Sequence, residues 1–169
     1  MFILFEDWHQ EDDDLDSEAM LKAHAKYDAY LKDNRALFPR NAYEFATAEW
    51  HHNFSDHRAP HDSWVTSIAI NQVSIPSTDS GVFDAEFVLL GAYHDGHLHV
   101  KYKNIHSFKV QRPEVAGGPV EIYRDEVRLS EKNLVLHEIE FLAMPNWLVE
   151  CEDISVVWEP LVEQLNVSI

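Results

Sequence analysis

The most regular pattern of apolar and polar residues lies in residues 83–110. Asp95 and Gly96 separate two segments that are rich in β-branched and aromatic residues, and an Asp-Gly pair favours the positive φ angles of a two-residue type I′ turn. The pattern therefore predicts a β-hairpin. Because a two-residue turn fixes the register, it places His94 opposite His97.

Successive residues of a strand point to opposite sides of a sheet, so this hairpin has two different faces. The first face is apolar and is predicted to lie in the core; it carries Phe87, Leu89, Tyr93, Leu98, Val100 and Tyr102. The second face is mixed; it carries His94, His97, His99, Lys101 and Lys103, together with Val88, Leu90 and Ala92. The imidazoles of the hairpin thus share one face.

Nearer the N-terminus, apolar residues recur at the three- to four-residue spacing that is typical of a helix. The stripe consists of Met20, Ala23, Tyr27, Tyr30 and Leu31. Asp16 or Ser17 can cap the start of this helix. Its end is predicted near Ala36, because Pro39 disfavours helical backbone at Phe38.

The segment that follows, residues 41–50, has an ambiguous pattern. Tyr43 and Phe45 alternate with other residues, as in a strand, whereas Ala42, Ala46 and Ala48 suit a helix. The alternation favours a strand here. Residues 51–63 then lack any periodicity and contain Pro60, which is typical of a polar loop.

Several further segments have the composition of strands separated by turns. The strands are predicted at residues 64–75, 120–129, 134–143 and 147–158, with turns at 130–133 and 144–146. We therefore expect an α+β fold, with one N-terminal helix packed on a strongly bent, partly barrel-like antiparallel sheet of about seven strands. Residues 1–18 are predicted to form an acidic arm and residues 19–169 a single domain.

The charge of the chain narrows the possible partners. It contains 30 acidic and 13 basic residues, a formal net charge of −17. Such a field repels nucleic-acid backbones and anionic lipids, so binding to nucleic acid or to a membrane is not expected. A basic protein surface or a cation is favoured instead.

The single cysteine and the N-terminus bear on the compartment. Cys151 is alone, so no internal disulfide can form. Residues 2–5 are apolar, but no basic residue precedes them and acids follow, which argues against a signal peptide. No apolar run approaches the length of about 18 residues that a membrane span needs. These features predict a soluble cytoplasmic protein, and they leave its oligomeric state open.

An acidic segment near the N-terminus is the first candidate surface for a basic partner. Residues 6–18 contain eight acids and no lysine or arginine. Asp12, Asp13 and Asp14 are consecutive within it. Such a block is either a solvated arm or an attractive surface for a basic protein.

A row of glutamates is the second candidate. A turn at residues 144–146 would place Glu140 opposite Glu150 and Glu138 opposite Glu152. Like charges that face each other destabilise a sheet, so the row indicates either a solvated face or a cation or basic partner beside it. The reverse side of these strands is predicted to be core, with His137 opposite Asp153; it carries Val135, Ile139, Phe141, Val149 and Cys151.

Histidines provide the alternative chemistry. His94, His97 and His99 converge on one face of the predicted hairpin and could bind zinc, with water as a fourth ligand. Lys101 and Lys103 beside them disfavour a cation. A second histidine group lies in the loop at residues 51–62, which is interpreted as an exposed loop, as a network linking His57, Arg58 and Asp62, or as a metal site; it contains His51, His52, Asp56, His57, His61 and Asp62.

These patterns favour a non-enzymatic, acidic interaction module. Its partner would be a basic protein, as for the stoichiometric inhibitors and immunity proteins that neutralise basic toxins. The alternative is a metal-binding protein or metal-dependent hydrolase that uses a histidine cluster. A third possibility is a small-molecule pocket lined by Trp64, Tyr93 and Tyr102. The chain has no nucleophile elbow, phosphate loop or dinucleotide fingerprint, and Cys151 is expected to be buried in the core.

Overall fold

A computed structural model describes residues 17–73, 81–111, 118–141 and 144–161. Two helices come first: α1 (Ser17–Asn34) and α2 (Arg40–Ala46). Six strands follow: β1 (Trp64–Val73), β2 (Val82–Leu90), β3 (Gly96–Lys109), β4 (Ile122–Leu129), β5 (Val135–Phe141) and β6 (Met144–Pro160). Neither helix of this described part has the length and apolar character that crossing a membrane requires.

The strands form one antiparallel sheet in the order β1-β2-β3-β6-β5-β4. An N-terminal helix and an antiparallel sheet are thus confirmed. The described part of the chain has six strands rather than about seven, and the sheet is not closed into a barrel. Three backbone hydrogen bonds join the start of β1 to the start of β4, among them Val65 N to Val120 O at 2.8 Å.

Helix α1 covers the edge strand β4. Tyr27 and Leu31, two residues of the predicted apolar stripe, are buried. The Tyr27 hydroxyl donates to the carbonyl oxygen of Val127 (2.6 Å) and accepts from its N–H (3.3 Å). The Tyr30 hydroxyl accepts from the N–H of Leu129 (2.9 Å). The helix therefore satisfies backbone groups on the outer side of the sheet.

The prediction of a strand in residues 41–50 is wrong, because α2 occupies its first half. Pro39 precedes the helix in an extended conformation, with φ −61° and ψ 153°. Ala42, Phe45 and Ala46 are buried at the i, i+3, i+4 spacing of one helix face. This spacing determines the structure, and the alternation of Tyr43 with Phe45 is incidental.

The hairpin of β2 and β3 exists, but its predicted register is wrong. Leu90, four residues before His94, lies opposite His97. The connection is therefore residues 91–95, in which His94 adopts a positive φ of 56°. An even shift preserves the faces, so the first face is buried as predicted, at Phe87, Leu89, Leu98, Val100 and Tyr102. Tyr93 lies in the connection and is exposed.

Gly96 has a different role from the one its sequence context indicates. It begins β3 rather than occupying a turn. A Cβ atom at this position would overlap the indole ring of Trp158 on the neighbouring strand. The glycine is needed because a distant aromatic ring packs against the backbone.

The hairpin of β5 and β6 shows the same kind of shift. Leu136, four residues before Glu140, lies opposite Glu150, and His137 lies opposite Val149 rather than Asp153. The predicted glutamate pairs are therefore wrong. The core face is again preserved, and all of its predicted members are buried: Val135, Ile139, Phe141, Val149 and Cys151.

Candidate functional site

The four glutamates predicted to face one another instead contact other residues of the chain. Glu138 and Glu140 accept hydrogen bonds from Arg128 and Arg124 respectively, each at 2.5 Å. Lys132 donates to Glu150 at 3.2 Å, and Asn104 donates to Glu152 at 2.7 Å. Only Glu152 of the four is exposed. The acids predicted in the arm, Asp12, Asp13 and Asp14, lie outside the described residues.

Glu138 shows how such a pairing holds a carboxylate inside the protein. Burial raises its pKa, but hydrogen bonds from Asn146 and Arg128 and the charge of Arg128 outweigh that effect and lower the pKa below the usual value. The side chain is therefore ionised and internally compensated. It presents little free charge to a partner.

The three hairpin histidines do not all share one environment. His94 lies in the connection, edge-on to Trp64 at 4.3 Å between ring centroids. His97 and His99 share the second face, with ring centroids 6.5 Å apart. Both nitrogens of His99 already contact carboxylates: Glu86 at 3.0 Å and Glu159 at 3.1 Å. A metal site at this hairpin stays a prediction, and these contacts give it no added support.

The loop after α2 is a series of turns whose polar groups pair locally. Arg58 donates two side-chain hydrogen bonds to Asp56, at 2.8 Å each. His57 bonds the carboxylate of Asp95 at 2.5 Å and stacks on Tyr93 at 4.1 Å between ring centroids. The predicted link among His57, Arg58 and Asp62 is absent from the contacts of the described residues.

The chemically most distinctive group is a buried cluster centred on Asp125 of β4. His51 and His137 each bond its Oδ2 through Nε2, at 2.7 and 2.9 Å. Tyr102 of β3 bonds Nδ1 of His137 at 2.7 Å. All four residues are buried, with relative side-chain exposures of at most 3% for the ion-paired groups. We name these four residues the Asp125 cluster.

The donor and acceptor roles in the Asp125 cluster follow from its carboxylate. Burial raises the pKa of Asp125, but the charge of His51 and the hydrogen bonds from His137 and His51 outweigh burial and hold the pKa well below its usual value. An ionised carboxylate can only accept, so both Nε2 atoms donate to it. Burial raises the pKa of Tyr102, so its phenol keeps its proton and donates to Nδ1 of His137.

His52 adds a further imidazole next to this cluster. Its ring stacks on that of His51 at 4.1 Å with an interplanar angle of 16°. Burial and the neighbouring His51 lower its pKa to about 3, so the ring is neutral near pH 7. One potential ligand atom from each of His51, His52 and Asp125 lies within 4.8 Å of the others. In the part of the chain that the structure describes, no other three residues of this kind form such a group.

Sequence reasoning missed this cluster because its members are far apart along the chain. The sequence pattern puts His51 in a polar loop and pairs His137 with Asp153 instead of Val149. One signal was present: His137 lies between Val135 and Ile139 on the predicted core face. A histidine at such a position must be buried, and a buried imidazole needs polar partners.

The second feature of interest is strand β1 at the other edge of the sheet. Its ten residues include no charged residue and no proline. Ile70 and Val73 are 48% and 40% exposed. Within the described residues, the strand from Ser67 onward pairs only with β2. This edge therefore presents unpaired backbone groups and apolar side chains together.

A polar cleft of about 400 Å³ lies near this edge. Its lining includes the carboxylates of Asp84, Glu86 and Asp153. Each of these already interacts within the chain: Asp84 accepts from Asn104 N (2.8 Å), Asp153 accepts from Ala42 N (3.0 Å), and Glu86 bonds His99. The cleft is thus not the apolar pocket expected for a small organic ligand.

Comparison of the chain with models of protein families, with curated proteins and with solved structures gave no match. The roles of β1 and of the Asp125 cluster therefore follow from their own geometry and chemistry.

Proposed function

We propose that this protein is an acidic interaction module that binds a basic partner protein through the edge of β1. The observation that carries this proposal is that no described element covers this edge from Ser67 onward. Natural sheets usually block an edge strand with lysine, proline, a bulge or a covering element, because a free edge pairs with other chains. β1 has a bulge only near Val65, and its longer exposed part has no charge or proline.

The opposite edge supports this interpretation. There, Tyr27 and Tyr30 of α1 contact the backbone of Val127 and Leu129. Among the described residues, one edge is thus covered, and the other is available for an added strand from Ser67 onward. An extended segment of a partner could form main-chain hydrogen bonds with β1, while Ile70 and Val73 supply apolar contacts.

The net charge indicates the chemistry of the partner. At −17, the protein attracts a basic surface over long range and accelerates its association. A stoichiometric inhibitor of a basic toxin is one protein class that would show this combination. Direct recognition by Glu138, Glu140 and Glu150 loses support, since each is already paired within the chain. Recognition by Glu152 and by the acidic arm stays a prediction.

Site-specific photo-crosslinking in the native cells tests the edge. A photoreactive phenylalanine analogue replaces Ile70 in one variant and Leu21 in a matched control, because both side chains are apolar and exposed. We expect position 70 to capture a protein with an isoelectric point above about 9, and position 21 not to capture it. Equal capture at both positions, or capture of an acidic partner at position 70, would contradict the proposal.

The salt dependence of the captured complex tests the electrostatic part separately. Raising the ionic strength from about 0.01 M to about 1 M shortens the Debye length from about 30 Å to about 3 Å. We expect the association rate to fall at least about tenfold over that range. An association rate that does not change with salt would contradict the proposal that the partner is basic, even if crosslinking still locates the contact at β1.

A further inference from the structure

Three residues next to α1, of which two are buried and one is partly buried, have the donor set of a zinc site. Imidazole nitrogen and carboxylate oxygen are both common zinc ligands, and three protein ligands with a fourth position are sufficient to hold the ion. We propose that His51, His52 and Asp125 bind one divalent cation of the zinc type. This inference is independent of the partner that β1 binds.

An unsatisfied atom at the same place is a second, independent observation. Nδ1 of His51 is buried and has no hydrogen-bond partner in the structure. His51 as a whole is only 1% exposed. Most buried polar atoms have a partner, and one that lacks it requires an explanation such as an ion. Because Nε2 of His51 donates to Asp125, Nδ1 is the nitrogen of this ring whose lone pair can bind a cation.

The residues behind Asp125 have the arrangement that supports metal ligands. His137 donates to the carboxylate at 2.9 Å, and Tyr102 donates to His137 at 2.7 Å. Outer residues of this kind fix the orientation of a ligand and raise its affinity for metal. His137 and Tyr102 are thus positioning residues, and both are held by strands of the sheet.

The spacing of the three ligand atoms also suits a cation. Tetrahedral ligands about 2.1 Å from zinc lie roughly 3.4 Å apart. The three ligand atoms already lie within 4.8 Å of one another. Because the rings of His51 and His52 are stacked, one of them must turn before both can bind the same ion.

A cation here would connect separate parts of the fold. His51 and His52 follow α2, and Asp125 lies on β4. His24 of α1 stands edge-on to His52 at 5.9 Å between ring centroids, and it offers a further imidazole on the helix side. His51 and Asp125 are buried and His52 is partly buried, and such limited access is typical of a structural zinc site rather than a catalytic one, which needs access for a substrate.

Metal binding to the whole chain, purified without a histidine tag and stripped with a chelator, tests the proposal. Zn²⁺ is titrated by calorimetry, and Co²⁺ is added separately as a spectroscopic probe. We expect one ion per chain and visible absorption bands of tetrahedral Co²⁺. A wild-type protein that binds neither ion would overturn the proposal.

Matched variants locate the site. His52→Gln removes a proposed ligand, and His97→Gln with His99→Gln removes two partly exposed imidazoles of the β3 strand as a control. We expect the Zn²⁺ affinity to fall at least about tenfold in His52→Gln and to stay within about twofold of wild type in the control. The reverse pattern would place the ion on the hairpin and overturn the proposal.

A measurement on the wild type keeps the test decisive if His52→Gln does not fold. Ring ¹⁵N chemical shifts of histidine report directly which nitrogens bind an added ion. We expect Zn²⁺ to shift the ring resonances of His51 and His52 and to leave the exposed rings of His57 and His94 unchanged. Shifts confined to exposed rings would overturn the proposal.

Discussion

The two edges of the sheet differ in how the rest of the chain treats them. At β4, Tyr27 bonds both backbone groups of Val127, and Tyr30 bonds Leu129 N. At β1, the described residues from Ser67 onward have β2 alone beside them. In the part of the chain that the structure describes, one edge is thus closed by side chains of a helix and the other is open. Helix α1 therefore protects the edge at β4, and its protection does not extend to the edge at β1.

The core also differs between the two edges, being better enclosed next to β4 than next to β1. Next to β4, the core encloses a carboxylate and its partners in the Asp125 cluster. Towards the far end of β1, the core face reaches solvent, because Ile70 and Phe83 are both exposed. We therefore expect the contacts of the Asp125 cluster, which are shielded from water, to contribute more to stability than those near β1. Changes near β1 are expected to have little effect on the rest of the fold.

Loss of the central carboxylate is expected to have the largest effect. Asp125→Ala leaves Nε2 of His51 and Nε2 of His137 buried without their acceptor, so the free energy of unfolding should fall by about 3–5 kcal/mol. Chemical denaturation in the presence of a chelator measures this, since the chelator removes any metal contribution. The matched change near the open edge is Glu86→Ala, which breaks a half-exposed contact with His99 and should cost at most about 1 kcal/mol. Similar losses in both variants would contradict the contrast between the two regions.

Much of the burial pattern could be predicted from the sequence, whereas the contacts between strands could not. Leu98 and Val149 were placed on the correct face because side-chain direction alternates along any strand. The register was wrong by four residues in both hairpins, since it depends on where the connection lies. Asp95 and Gly96 resemble a turn locally, but Gly96 packs under Trp158 of β6.

The Asp125 cluster could not be predicted from the sequence for a related reason. Its residues come from the loop after α2 and from three strands, and they meet only because the order β3-β6-β5-β4 brings those strands together. No local pattern in one sequence contains that order. The predicted glutamate pairs are wrong for the same reason. In the actual strand order, Glu140 faces Arg124 of β4.

Removal of one hydroxyl from the covered edge is the next test. Tyr27→Phe leaves the N–H and carbonyl of Val127 without their side-chain partner in a buried environment, which should cost about 1–3 kcal/mol of unfolding free energy. Tyr93→Phe is the matched control, because that side chain is exposed and its loss should be below about 0.5 kcal/mol. Equal values would mean that β4 does not depend on α1 for its protection.

The stability at alkaline pH tests the burial of Cys151 on β6, two strands from the covered edge strand β4. Burial, with a smaller contribution from Asp153, raises its pKa from 9.0 to about 12. Between these values the unfolded chain loses the thiol proton and the folded protein keeps it. Stability is therefore fully present below pH 9 and falls as the pH rises towards 12, by at most about 1.4 kcal/mol per unit.

Two measurements check this expectation. A Cys151→Ser variant should show a shallower decline in unfolding free energy above pH 9 than the wild type. Alkylation of the folded wild type at pH 8 should be slow and should accelerate on addition of denaturant, because the thiolate is the reactive form. Rapid alkylation of the folded protein would show that the thiol is accessible, and it would contradict tight packing around Cys151.

The smallest effect on stability is expected at the open edge. Ile70→Lys places a charge on an exposed side chain of β1, so the unfolding free energy should change by less than about 0.5 kcal/mol. Leu21→Lys on α1 is the matched control, with the same chemical change at an exposed site. Binding should separate the two: a lysine on β1 protects the edge and repels a basic partner, so complex formation should weaken at least about tenfold in Ile70→Lys alone. If Ile70→Lys instead destabilises the protein by about 2 kcal/mol or more, position 70 must be covered within the folded chain, and β1 would no longer be an open edge.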